Sequence, residues 1–117
     1  MNRLFTTAAV LGSLAAPALA QSNLGWLRDA PAASFSKADI QLMVDTLHGA
    51  LDSQADGKPV TWENAAAGNS GSITPAKDPK GRAACRLARI QNRHKAALAT
   101  TDAVFCKDGG QWKYTPG

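Results

Sequence analysis

The sequence predicts an α+β domain: one amphipathic helix packed on a small, twisted antiparallel sheet of about four strands. Three observations lead there. Residues 36–54 carry apolar side chains at spacings of three and four. Beyond Pro59 that period gives way to short apolar segments punctuated by glycine, proline and aspartate. The two cysteines, Cys85 and Cys106, fit one antiparallel register when placed opposite each other.

The chain of 117 residues opens on a leader pattern. Met1 to Arg3 carry positive charge, Leu4 to Ala16 form a short apolar stretch, and Pro17-Ala18-Leu19-Ala20 ends in the small-x-small pattern of a signal-peptidase site. Residues 1–20 are expected to be a signal peptide cut before Gln21. That leaves 97 residues with twelve basic and nine acidic side chains, a net charge of +3. A lipoprotein places its cysteine at the cut, where this chain has Gln21, so release into the periplasm or cell envelope is expected rather than lipid tethering. No later segment approaches the ~20 apolar residues that a membrane helix needs. Residues 21–35 lack periodicity and read as an N-terminal arm that docks by Trp26 or stays mobile. Residues 36–117 then form a single domain.

The helix comes first in that domain. Ser36 is a good N-cap, and Asp39 three residues later can cap the return donor and favour the positive helix end. Ile40, Met43, Val44, Leu47 and Leu51 make an apolar stripe, opposed by Lys37, Gln41, Asp45, His48 and Asp52. Asp56-Gly57 supplies the stop and Pro59 prevents continuation, so the helix should run near 37–54.

After it, Val60 to Asn64 reads as a short strand around Trp62. Ala65 to Ser72 reads as a small-residue turn holding Gly68 and Gly71, and Ile73-Thr74 as a brief extended piece closed by Pro75. Residues 76–82 are a polar loop. The last third reads as strands near 83–93, 97–106 and 110–115. If Cys85 faces Cys106, then Leu87 faces Val104, Arg89 faces Asp102 and Gln91 faces Thr100. A bridge, an apolar pair and an opposite-charge pair then share one register. His94-Lys95-Ala96-Ala97 lacks the Asn-Gly chemistry of a two-residue hairpin, so a four-residue loop is expected there. Asp108-Gly109-Gly110 is a better turn signal, and it puts Trp112 and Tyr114 on one side of the final strand.

The core should be thin, because 17 of the 97 residues are alanine. Leu47, Leu51, Trp62, Leu87, Ile90 and Phe105 are expected to form much of it. A staple would help so small a domain. Export supplies an oxidising compartment, and a Cys85–Cys106 disulfide closing about twenty residues is worth roughly 3 kcal/mol on the chain-entropy model. The alternative is two unpaired thiols open to oxidation.

Trp62-x-Asn64, Gly68-x-x-Gly71-x-Ile73-x-Pro75, Cys85-Arg86, and Cys106 followed by Asp108-Gly109 and Trp112 resemble the C-terminal domain of the bacterial 17 kDa surface antigen family of rickettsial type. The resemblance covers roughly residues 38–115 and implies a small cell-envelope domain without an established catalytic activity. Members often carry a lipid-modified cysteine and a glycine zipper ahead of this domain. Neither is present here, so outer-membrane anchoring does not carry over. The stretch between Cys106 and Trp112 is also shorter than the family's usual spacing.

The residues themselves offer little chemistry. Gly68-Asn69-Ser70-Gly71 lacks the Gly-Lys-Ser/Thr of a phosphate loop and reads as a turn whose glycines take positive φ. His48 and His94 are far apart with no Cys or carboxylate cluster around either, so no metal and no cofactor is expected. No serine has an activating context, so no catalytic residue is assigned.

Charge is unevenly spread. Residues 21–64 sum to −3, whereas 77–95 hold Lys77, Lys80, Arg82, Arg86, Arg89, Arg93 and Lys95 against Asp78 alone. Those seven are the candidate anion-binding residues, with the 77–82 loop and the hairpin end gathering five or six cations in one region. They suit an anionic glycan, lipopolysaccharide phosphates or an acidic protein. Export and the lack of interleaved aromatics argue against nucleic acid. The alternative is a basic hairpin that offsets an acidic helix. The expected function is an exported, non-enzymatic envelope module, structural or binding. A binder of anionic ligand or protein through 77–95, or an inhibitor of an envelope enzyme, stand as the alternatives.

Overall fold

A computed structural model describes residues 24–116. The expected signal peptide lies outside the described residues. The helix, α1, runs Lys37–Ser53, and the capping box forms in full: Ser36 Oγ accepts from the Asp39 N–H, and Asp39 Oδ2 accepts from the Ser36 N–H. Five strands follow in an antiparallel meander: β1 Val60–Asn64, β2 Asn69–Lys77, β3 Cys85–His94, β4 Ala97–Asp108 and β5 Gln111–Tyr114. The architecture is therefore α+β as expected, with five strands instead of about four.

The added extent lies in β2. The segment read as a turn followed by a two-residue fragment is one nine-residue strand, with the turn confined to Ala65–Gly68. Gly68 has φ 72° and needs its glycine. Gly71 sits mid-strand opposite Trp62, without a positive φ. A Cβ there would run into the Trp62 indole and the Gln91 carbonyl, so this glycine serves the close approach of a ring, not a turn. Pro75 does not end β2. Its carbonyl accepts from the Gly57 N–H, so its missing donor faces the side where β1 has already ended.

The β3–β4 register places Cys85 opposite Cys106, Leu87 opposite Val104, Arg89 opposite Asp102 and Gln91 opposite Thr100, as the sequence implies. The disulfide forms, with the two Cα atoms 3.9 Å apart. The loop between these strands has two residues, not four. Lys95 takes φ 54°, and its N–H donates to the Gly68 carbonyl at 2.8 Å. A tertiary hydrogen bond to the β1–β2 turn thus holds a conformation that Lys95 would not choose locally.

Alternation decides what is buried. The helix-facing side of β3 and β4 carries Ala88, Ile90, Asn92, Ala103 and Phe105, all buried. These pack with Trp62, Ile73, Met43, Leu47, Ala50 and Leu51. Leu87 shares the outer face with Cys85 and is half-buried, so it is not a core residue as expected. The arm docks: Trp26 is buried with its ring edge-to-face on Phe105 at 5.6 Å, and Phe35 meets Trp62 the same way at 5.1 Å. No helix among the described residues is long and apolar enough to cross a membrane.

Candidate functional site

A cleft of about 270 Å³ opens between α1, the docked arm and the β4–β5 hairpin. The helical period puts Val44, Leu47, His48 and Asp52 on one side of it. Leu24 and Trp26 enter from the arm, and Phe105 and Trp112 from the hairpin. Asp108-Gly109-Gly110 supplies that hairpin's turn, with φ of 60° and 81° at the two glycines. The turn brings Trp112 back toward the helix.

The rim is polar and fixed. Asp52 Oδ1 accepts from Trp112 Nε1 at 2.8 Å and from Lys107 Nζ at 2.9 Å. The Lys107 hydrogen bond, followed by that of Trp112, holds the Asp52 carboxyl below its ordinary range. Lys107 also lies 5.4 Å from the Trp112 ring centre. The indole is thereby pinned in place, and the ion pair leaves the rim close to neutral. None of the lining residues is a serine, threonine or cysteine. What the cleft offers is an apolar slot with hydrogen-bonding groups at its mouth.

A second polar centre lies at the other end of α1. Asp39 is 2% exposed, and its carboxylate accepts from Asn64 Nδ2 and Asn69 Nδ2, each at 2.7 Å, in addition to the capping bond. The Asn64 hydrogen bond, then that of the Ser36 backbone, lowers its pKa to about 2 against the opposing effect of burial. Asn69 Oδ1 meets His94 Nδ1 at 2.6 Å. Nearby, Asn92 Nδ2 donates to Asp29 at 3.0 Å, while its Oδ1 has no partner among the described residues. This layer ties the arm, the helix start and three strands together. Apart from Asn92 Oδ1, its hydrogen bonds join the arm, helix and strands to one another, so it reads as structural.

The seven candidate anion-binding residues do not gather in one region. Arg82 is committed to Asp78 by two side-chain bonds, at 2.6 and 3.1 Å. Those bonds raise the Arg82 pKa and hold Asp78 well below the usual carboxylate range. Arg86 points to the helix side of the sheet, where it donates to the carbonyls of Ala50, Leu51 and Gln54 and to Asp56. It is a cap for the C-terminus of α1. Arg89 pairs with Asp102 through two bonds of 2.9 Å. Lys77 and Lys80 sit at one end of β3, while Arg93 and Lys95 sit at the other, roughly 20 Å away at ~3.3 Å per residue. None of these four has a carboxylate partner among the described residues.

The sequence put Trp112 and Tyr114 on one side of the last strand, and they do share the core side. It missed the Asp52–Lys107–Trp112 contact. His48 and Asp52, expected on the polar stripe opposite the apolar one, instead lie beside it and line the cleft with Val44 and Leu47; the four-residue spacing from Val44 to His48 was the available signal. The role of Arg86 was half legible, since its parity in β3 is opposite to that of Arg89. Among the described residues no group of His, Cys, Asp and Glu could hold a metal ion. No protein-family model, curated protein or solved structure matches the chain.

Proposed function

We propose that this chain is an exported, non-enzymatic binding module of the cell envelope, holding a small apolar or aromatic group in the cleft between α1 and the β4–β5 hairpin. The cleft carries the reading. It is walled by Trp26, Phe105 and Trp112, and one of those rings is locked by a carboxylate and a lysine. Stacking on fixed rings gives affinity at low entropic cost, and the His48–Asp52 rim supplies orientation. The Cys85–Cys106 bridge supports export, because such bridges persist in oxidising compartments. The leader-like residues 1–20 and the resemblance to the surface antigen family support the envelope. The basic stretch is the weaker binding candidate, since Arg82, Arg86 and Arg89 are already engaged within the fold.

The test is native mass spectrometry of the oxidised protein after incubation with the small-molecule fraction of an envelope extract. A discrete added mass is expected on the unmodified chain and should disappear with Val44→Trp, which fills the slot. An adduct that survives Val44→Trp, or none on either protein, would rule the cleft out.

A further inference from the structure

Asp52 stands at the mouth of the cleft with one carboxylate oxygen committed and the other open. Its Oδ1 accepts from both Trp112 Nε1 and Lys107 Nζ, while Oδ2 has no hydrogen-bond partner among the described residues. The two bonds fix the rotation of the group, so the free lone pairs of Oδ2 are held in one place. They also keep the carboxyl ionised by lowering its pKa. Among the described residues that line the cleft, Asp52 is the one carboxylate and none is lysine or arginine. His48 and Gln111 can each donate or accept, so they place no demand on a ligand's head group. Asp52 Oδ2 does: it can only accept.

The rest of the cleft narrows the ligand from two other directions. Its floor is apolar, with Leu47, Trp26 and Phe105 all buried. A volume of about 270 Å³ falls below the ~300–1,000 Å³ of drug-sized pockets, which suits a body of one or two rings. Charge then selects the head. An ammonium on Oδ2 would be a second cation on a carboxylate that Lys107 already neutralises. An anion would meet the lone pairs of Oδ2 directly. The next ion pair on the hairpin, Lys113 with Asp108 at 3.6 Å, cancels in the same way and favours neither sign. A head without a donor would cover Oδ2 and leave it without water or a partner. What remains is an uncharged O–H or N–H.

Building on the cleft reading proposed above, we infer that its ligand is an uncharged one- or two-ring molecule whose hydroxyl or ring N–H donates to Asp52 Oδ2. The ring system packs among the aromatic walls, and the head stays at the mouth. Asp52 is thus the residue that sets specificity, while Lys107 sets the charge of the head that it accepts.

Four probes share a benzyl body and differ at the head: benzyl alcohol, benzyl methyl ether, benzylammonium and phenylacetate. Each is titrated into the oxidised protein at neutral pH while the Trp112 indole N–H is followed by NMR. Benzyl alcohol should bind at least about fivefold more tightly than the ether or either ion. Asp52→Asn keeps an oxygen for Trp112 Nε1 and puts an amide donor in place of Oδ2. In that variant the alcohol should lose its advantage over the ether, although the ring still binds. Lys107→Gln leaves the carboxylate uncompensated, so benzylammonium should overtake the alcohol. This second variant carries the test if Asp52→Asn does not fold. Equal affinity for alcohol and ether, or an ion binding best to the native chain, would overturn the inference and leave the cleft as a binding site. So would an alcohol preference that both variants retain. Failure of all four probes up to their solubility, or shifts that survive Val44→Trp, would overturn the cleft reading as well.

Discussion

The two faces of the sheet solve opposite problems with the same residue types. The helix-covered face buries Asp39 beneath three amide and backbone donors and sends Arg86 to the carbonyls that end α1. The outer face leaves Arg89, Asp102 and the disulfide near water. On the inner face a charge is tolerated because its hydrogen-bond partners are complete. On the outer face water can replace any partner that is lost. Removing a charge from each face should therefore give very different effects.

The largest is expected at Asp39. Asp39→Ala strands the Asn64 and Asn69 amides and the Ser36 N–H, and should cost about 3–5 kcal/mol in urea unfolding. Its acid dependence sharpens the point. A folded pKa of about 2, below the ordinary carboxylate value, means that this stabilisation is complete above roughly pH 4. It is lost as pH falls toward 2. The melting temperature of the native chain should drop across that window, and Asp39→Asn should flatten the drop. Some slope should remain, because Asp52, Asp78 and Asp102 are also held below their ordinary range.

Next comes the bridge, an outer-face feature that breaks the rule because it acts on the unfolded chain. Cys85→Ser with Cys106→Ser should cost about 3 kcal/mol on the chain-entropy model. The register should persist in the reduced protein, since the Leu87–Val104 and Arg89–Asp102 pairs do not depend on sulfur. Strand-to-strand amide contacts by NMR would read this directly. Loss of the 89–102 contact on reduction would mean that the bridge, not the pattern, sets the register.

Arg86→Met keeps the apolar stem but removes every donor from the last turn of α1. About 2 kcal/mol of destabilisation is expected, with faster hydrogen exchange confined to the end of α1 near Ala50 to Gln54. Arg86→Lys should recover only part of it, because one ammonium cannot span three carbonyls and Asp56.

What was legible in the sequence follows the same division. The capping box spans three residues, and the β3–β4 register follows from one hairpin, so both could be read from local spacing. Arg86 meets carbonyls 32 to 36 residues away, Asn64 meets Asp39 across 25, and Trp112 meets Asp52 across 60. No local pattern encodes these contacts. The short Lys95-Ala96 turn was misread for the same cause, since its stabilising bond comes from Gly68. The cleft belongs to this group too: its aromatic walls come from the arm, β4 and β5, and meet only after the sheet has closed on the helix.

The smallest effect should come from Arg89 and Asp102, although their two 2.9 Å bonds have the best geometry of any pair on the outer face. The pairing raises the Arg89 pKa and lowers that of Asp102. Yet Arg89 is 59% and Asp102 43% exposed at the side chain, so water and salt screen most of the attraction. A double-mutant cycle of Arg89→Gln and Asp102→Asn should give a coupling far smaller than the Asp39 effect, vanishing in molar salt. A coupling as large as the Asp39 effect would erase the contrast between the faces. It would mean that the outer face is shielded from water in solution.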